Sequence, residues 1–176
     1  LKFSSVKDKD ENLDRANGPA QDLAMTLATL LLQTEPSWIN VGILIGRLFI
    51  GACFIVHGLG KLGIVGAGSM KGFEGWLTSM GIPMPALQAR IAMAFELCGG
   101  FLILTGLFMR AGCLMCLATM VVAALIGHKG GGYLITNNPP GNEYTINLAA
   151  ICGVLFLLGP GAYSLDAMLF ASQLIS

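Results

Sequence analysis

Arg47 and Glu96 each lie deep inside a long apolar stretch, where a charge facing lipid is costly and a partner is expected. A carboxylate in hydrocarbon either meets a cation or takes up a proton. An Arg47–Glu96 pair is therefore the cheapest account of both residues. Such a pair can fix a helical bundle, or it can line a polar pocket for a quinone carbonyl or a proton-relay carboxylate. The charges alone leave both uses open. A second set, His57, Lys61, His128, Lys129 and Glu143, falls where apolar stretches end or begin. Gathered at one membrane face, these groups suit an anionic substrate or a quinone headgroup, and histidine is the natural proton donor near neutral pH. Taken singly, each has a plainer reading as a snorkelling cation or a hydrogen-bonded imidazole.

The candidates for catalysis are thus Arg47, Glu96, His57 and His128, and those for holding a cofactor are Lys61, Trp76 and Glu143. Quinone is the cofactor that this set suits. The spacing of the two histidines requires neither haem nor a metal, and the sequence carries no CxxCH, GxGxxG or Walker pattern. Cys113 and Cys116 match CxxC in form only. They lie within an apolar helix that lacks the electropositive flank of a reactive thiol. Small buried cysteines fit better there than a thiol relay with Cys53 or Cys98.

Membrane-spanning helices must position these residues. The chain has 176 residues, 55 % of them hydrophobic and 11 % charged. An ordinary soluble domain is about 25 % charged. Net charge is zero, which removes the electrostatic case for nucleic acid. Four apolar runs, at about 39–60, 87–109, 111–127 and 145–158, read as spans. Along the first, Arg47, Gly51, Phe54, Gly58 and Lys61 share one face, the expected inner wall of a bundle. Between the first two runs, Phe73, Trp76, Leu77 and Met80 make the apolar stripe of a short helix. That helix lies at the interface or dips into the bundle mouth, where Trp76 would border a cofactor.

Residues 1–37 form a polar arm followed by an amphipathic helix, with Asp22 in its first turn and Leu23, Leu27, Leu30 and Leu31 on one face. No secretory signal is visible in the first 22 residues. The expected architecture is an all-α integral membrane protein: an antiparallel bundle of four transmembrane helices over 38–170, an N-terminal interfacial helix and a 171–176 tail. Four spans put both termini on the same side of a prokaryotic inner or plasma membrane. The distribution of Lys and Arg leaves that side open.

Several stretches resemble the DoxX family of small membrane proteins. They are RLFIGACFIVHGLGKL at 47–62, GIPMP at 81–85, FELCGG at 95–100, GLFMRAG at 106–112, His128, and GPGAYSLD at 159–166. The likeness covers about residues 40–168. It implies a four-helix membrane protein that works within a larger redox assembly, as in the membrane subunit of archaeal thiosulfate:quinone oxidoreductase. It also implies that Arg47, Lys61, Glu96 and His128 are family-like polar positions, with Glu143 less securely aligned. The arm at 1–37 is longer than the family's usual lead-in and points to a contact with a larger membrane complex. Two functions follow as expectations: a quinone-linked oxidoreductase subunit, or a non-catalytic accessory subunit that stabilises a larger complex.

Overall fold

A computed structural model describes Asp22 and residues 36–170. The interfacial helix expected between Pro19 and Pro36, the 1–37 contact and the 171–176 tail fall outside these residues, apart from Asp22 and the first turn of the helix that begins at Pro36. From Asn40 onward the described residues form one compact unit. The helices of the described residues are α1 (Pro36–Lys61), α2 (Met70–Ser79), α3 (Pro85–Thr105), α4 (Met109–Val122), α5 (Glu143–Leu158) and α6 (Leu165–Phe170). The helix of α4 runs on through one π turn, Ala123–Gly127.

Among the described residues, three helices are long and apolar enough to cross a membrane: Pro36–Lys61, Pro85–Thr105 and Met109–Gly127. The expectation of four spans fails at α5. Its 16 residues rise about 24 Å, against a hydrocarbon core of about 30 Å. Sequence bounds of 145–158 already hinted at this, because Gly159 and Pro160 end the apolar run before it reaches spanning length. The placement of both termini on one side rested on four spans and falls with that count.

The helices pack where glycine lets backbones meet. A side-chain carbon on Gly51 would lie 2.7 Å from the carbonyl oxygen of Gly100, and one on Gly100 would lie 2.8 Å from that of Gly51. This contact seats α1 on α3. Gly99 and Gly112 do the same for α3 and α4, with 3.0 and 2.8 Å to each other's carbonyl oxygens. Such close approach lets dispersion act between backbones in lipid, where no hydrophobic drive joins helices. The face of α1 expected to point inward does so: Arg47, Gly51, Phe54 and Gly58 are buried. Phe54, Ile103, Cys113, Cys116 and Cys152 pack in the core with no exposed surface.

The α3–α4 hairpin turns at 106–108, a few residues before the junction expected at Arg110. Gly106 ends α3 in the left-handed region (φ 70°). Phe108, at φ 44°, precedes α4. That strained residue is held by Asp166, whose carboxylate accepts the backbone N–H groups of Phe108 (2.8 Å) and Met109 (3.3 Å). An acid at a helix start satisfies orphan donors and suits the positive end of the dipole. The sequence placed Asp166 at the start of its own last helix. The fold uses it to cap another helix as well.

Candidate functional site

The two buried charges of the spans belong to different ends of the molecule. Arg47, 2 % exposed, spends its guanidinium on backbone carbonyls. Nε donates to Ile103 O (3.1 Å), Nη2 to Leu104 O (3.1 Å), and Nη1 to Pro160 O (2.9 Å) and Tyr163 O (2.8 Å). Ile103 and Leu104 lie in the last turn of α3, whose carbonyls have no partner within their own helix. The arginine fork therefore closes α3 and ties it to the segment after α5. Gly106 is required beside it, since a side-chain carbon there would lie 2.5 Å from Arg47 Nη2.

Glu96, also 2 % exposed, is paired with Lys61 through Nζ and Oε2. The expected Arg47–Glu96 pair does not form, and the antiparallel register explains why. With Gly51 against Gly100, Arg47 comes level with Ile103 and Leu104. Glu96 lies roughly 12 Å further along α3, eight residues at a helical rise. In the same register Glu96 comes level with Ile55, and Lys61, about 9 Å further along α1, reaches it with its long side chain.

A cavity of about 650 Å³ opens around this second pair. His57 and Lys61 border it from α1, Phe73 and Trp76 from α2, and Phe95 and Glu96 from α3. The π turn contributes Ala123, Ile126 and Gly127, followed by His128; Tyr144 and Thr145 come from the start of α5. The size and mostly apolar lining, with a few convergent polar groups, are those of a small-molecule site. Five of the seven predicted residues, His57, Lys61, Trp76, Glu96 and His128, thus meet on one cavity. Arg47 and Glu143 do not border it. Glu143 accepts the Ile135 N–H (3.2 Å) and so braces the loop before α5.

The aromatic wall follows from small residues opposite it. Phe73 and Trp76 stack with ring centres 5.8 Å apart, and the Lys61 ammonium sits 4.8 Å from the Phe73 centroid. Lys61 is thereby held between a carboxylate and a π face. The indole of Trp76 lies over Gly127, where a side-chain carbon would come within 2.9 Å of the ring. The π turn widens the helix at this point, a distortion often found at functional sites.

Sequence reasoning missed Tyr144. Its hydroxyl lies 2.6 Å from His57 Nε2 and 3.1 Å from Cys53 Sγ. Cys53 and His57 are four residues apart and share a face of α1. Tyr144 bridges them from α5. The available signal was its place beside Glu143 at the start of that helix. On the other side of the cavity, His128 Nδ1 lies 3.1 Å from Pro140 O. A carbonyl can only accept, so Nδ1 carries the proton and Nε2 is left as the basic nitrogen.

Sequence comparison supports the class that this architecture defines. The DoxX family profile matches residues 42–129, from α1 to just beyond the π turn. The chain is 32 % identical over 130 residues to the inner membrane protein YphA of Escherichia coli (strain K12), covering 70 % of this chain and 87 % of that protein. It is 28 % identical over 130 residues to the inner membrane protein YqjF of the same strain, covering 74 % and 93 % of the two chains. This chain belongs to the DoxX family of membrane proteins. No solved structure matches it.

Proposed function

We propose that this cavity is the quinone site of a membrane oxidoreductase subunit. The coarser part of the reading, a redox-associated role in the membrane, rests on family membership. The observation that carries the finer part is the meeting of an aromatic wall, Phe73 and Trp76, with Lys61–Glu96, His57–Tyr144 and His128 on one cavity of about 650 Å³. A flat ring with two carbonyl oxygens needs such a site: faces to stack on, hydrogen-bond donors at its edge and room for an apolar tail.

A quinone bound there would carry electron pairs and protons between a donor and the membrane. The chain's own residues supply the setting. Phe73 and Trp76 orient the ring. Lys61, already balanced by Glu96, offers an ammonium that strengthens its hold as negative charge grows on a ligand oxygen. His57 and His128 place at the cavity imidazole nitrogens that can give or take a proton. Electrons come from a partner subunit or a small reductant. Arg47 takes no part at the cavity and acts as the clasp at the far end.

The test is purification in nanodiscs formed directly from native membranes, with quinone extracted and counted per chain. The account expects near one quinone per chain in the wild type and a loss of about tenfold or more in Lys61→Met. That range corresponds to one charge-assisted hydrogen bond. Quinone no higher than in protein-free discs, or equal in wild type and variant, overturns the reading. Co-purifying large subunits without quinone would favour the accessory role instead.

A further inference from the structure

The hydrogen bond between His57 and Tyr144 can be made with either residue as donor: a neutral imidazole protonated at Nδ1 must accept through Nε2, and a charged one must donate. When Nε2 is unprotonated, the phenol O–H donates its hydrogen bond to His57. Its oxygen lone pairs are then what it offers to neighbours. When the imidazole is charged, both ring nitrogens are donors and Nε2–H points at the phenol oxygen. The phenol proton must then turn elsewhere. Cys53 Sγ, 3.1 Å away, is a weak acceptor, and the other direction is the cavity that both residues border. At 2.6 Å the bond is short enough to couple the two positions closely.

From this, the geometry points to Tyr144 as a ligand-reading residue whose hydrogen-bond polarity is set by His57: donor to a carbonyl when His57 is charged, acceptor from a hydroxyl when it is neutral. The substrate class that needs both is a carbonyl/hydroxyl redox pair, quinone and hydroquinone, so this inference rests on the proposed quinone site. A phenol keeps its own proton throughout the neutral range, so only its direction changes.

The surroundings allow His57 to act as the control. The other titratable or charged groups bordering the cavity, among the described residues, are Lys61 from α1, Glu96 from α3 and His128 after the π turn. Lys61 and Glu96 are joined to each other, and their charges offset. His128 is tied through Nδ1 to the Pro140 carbonyl. The α2 wall presents the rings of Phe73 and Trp76. His57, Lys61 and Phe73 also border a second recess, of about 580 Å³, under the glycine-rich segment 65–68. That recess lies at the end of α1, so His57 can exchange protons on that side while Tyr144 meets the ligand on the other.

The experiment is binding of a decyl-tailed benzoquinone, and separately of its hydroquinone under anaerobic conditions, to the full chain in nanodiscs. Affinities are compared on either side of the ordinary imidazole range, at about pH 5 and about pH 8. The expected result is opposite slopes. The quinone binds about fivefold more tightly at the lower pH and the hydroquinone about fivefold more tightly at the higher, one hydrogen bond in each case. Both slopes vanish in Tyr144→Phe and in His57→Gln, while His128→Gln keeps their opposite signs. Should Tyr144→Phe not fold, the wild-type slopes and His57→Gln decide the matter. Slopes of the same sign, slopes that survive loss of Tyr144 or His57, or slopes abolished by His128→Gln alone overturn the inference while leaving the quinone site standing. Binding of neither form at either pH overturns both.

Discussion

At the scale of single residues, two buried charges that looked like partners have separate duties. Arg47 gives four hydrogen bonds to backbone carbonyls at the end of α3 and beyond α5. Removing the guanidinium leaves four carbonyls without their donor, that of Ile103 fully buried. Arg47→Met should therefore destabilise the fold by about 3 kcal/mol or more, since hydrogen bonds to charged groups are worth about 1.5–3 kcal/mol each and are not additive. Thermal unfolding in detergent checks this. Arg47→Lys should recover only part of the loss, because an ammonium cannot reproduce the planar fork. A variant that melts like wild type would show that the clasp is not needed. The sequence made clear that Arg47 and Glu96 each needed a partner, because both sit in apolar surroundings. It did not show which partner, because that depends on the register between α1 and α3. The His57–Tyr144 bond was hidden for a related reason. The helix that carries Tyr144 is almost wholly apolar, so periodicity could not say which side faced inward.

At the scale of elements, the register is set by glycine. Gly51 and Gly100 bring α1 and α3 into backbone contact, and the same register puts Glu96 within reach of the Lys61 side chain. Gly100→Val would press on Phe54 and on the backbone at Gly51 and Ile55, all within 3.0 Å of the added carbon. It should lower stability by roughly 1–3 kcal/mol. Gly153 in α5 has nothing within 4 Å of such a carbon. Gly153→Ala should instead raise stability by up to about 1 kcal/mol through helix propensity. Measured melting shifts of the same sign in both variants would contradict the packing argument. Most elements were legible beforehand. The apolar runs gave α1, α3 and α4 to within a few residues, and the stripe of Phe73, Trp76, Leu77 and Met80 gave α2. Two features were not. The hairpin turn depends on Asp166, far along the chain, which fixes where α4 starts. The π turn at Ala123–Gly127 leaves no mark in an apolar run, and its last residue, Gly127, is where the indole of Trp76 rests.

At the scale of the whole molecule, three helices of spanning length and one shorter apolar helix enclose a polar-edged cavity at the end of the fold opposite the Arg47 clasp. A site built this way at the end of an apolar fold suits a ligand that is itself mostly apolar with a polar head. The chain has two tryptophans, and one of them, Trp76, borders the cavity. Replacing the other by Trp38→Phe leaves a single tryptophan, at the proposed site. The most direct measurement is the fluorescence of that variant in nanodiscs during titration with a decyl-tailed benzoquinone, beside the same variant carrying Ala92→Phe to fill the cavity, which Ala92 also lines. The account predicts saturable quenching that ends near one probe per chain and is lost when the cavity is filled. Quenching that only rises in proportion to probe dissolved in the lipid, equal in the open and filled proteins, would contradict it.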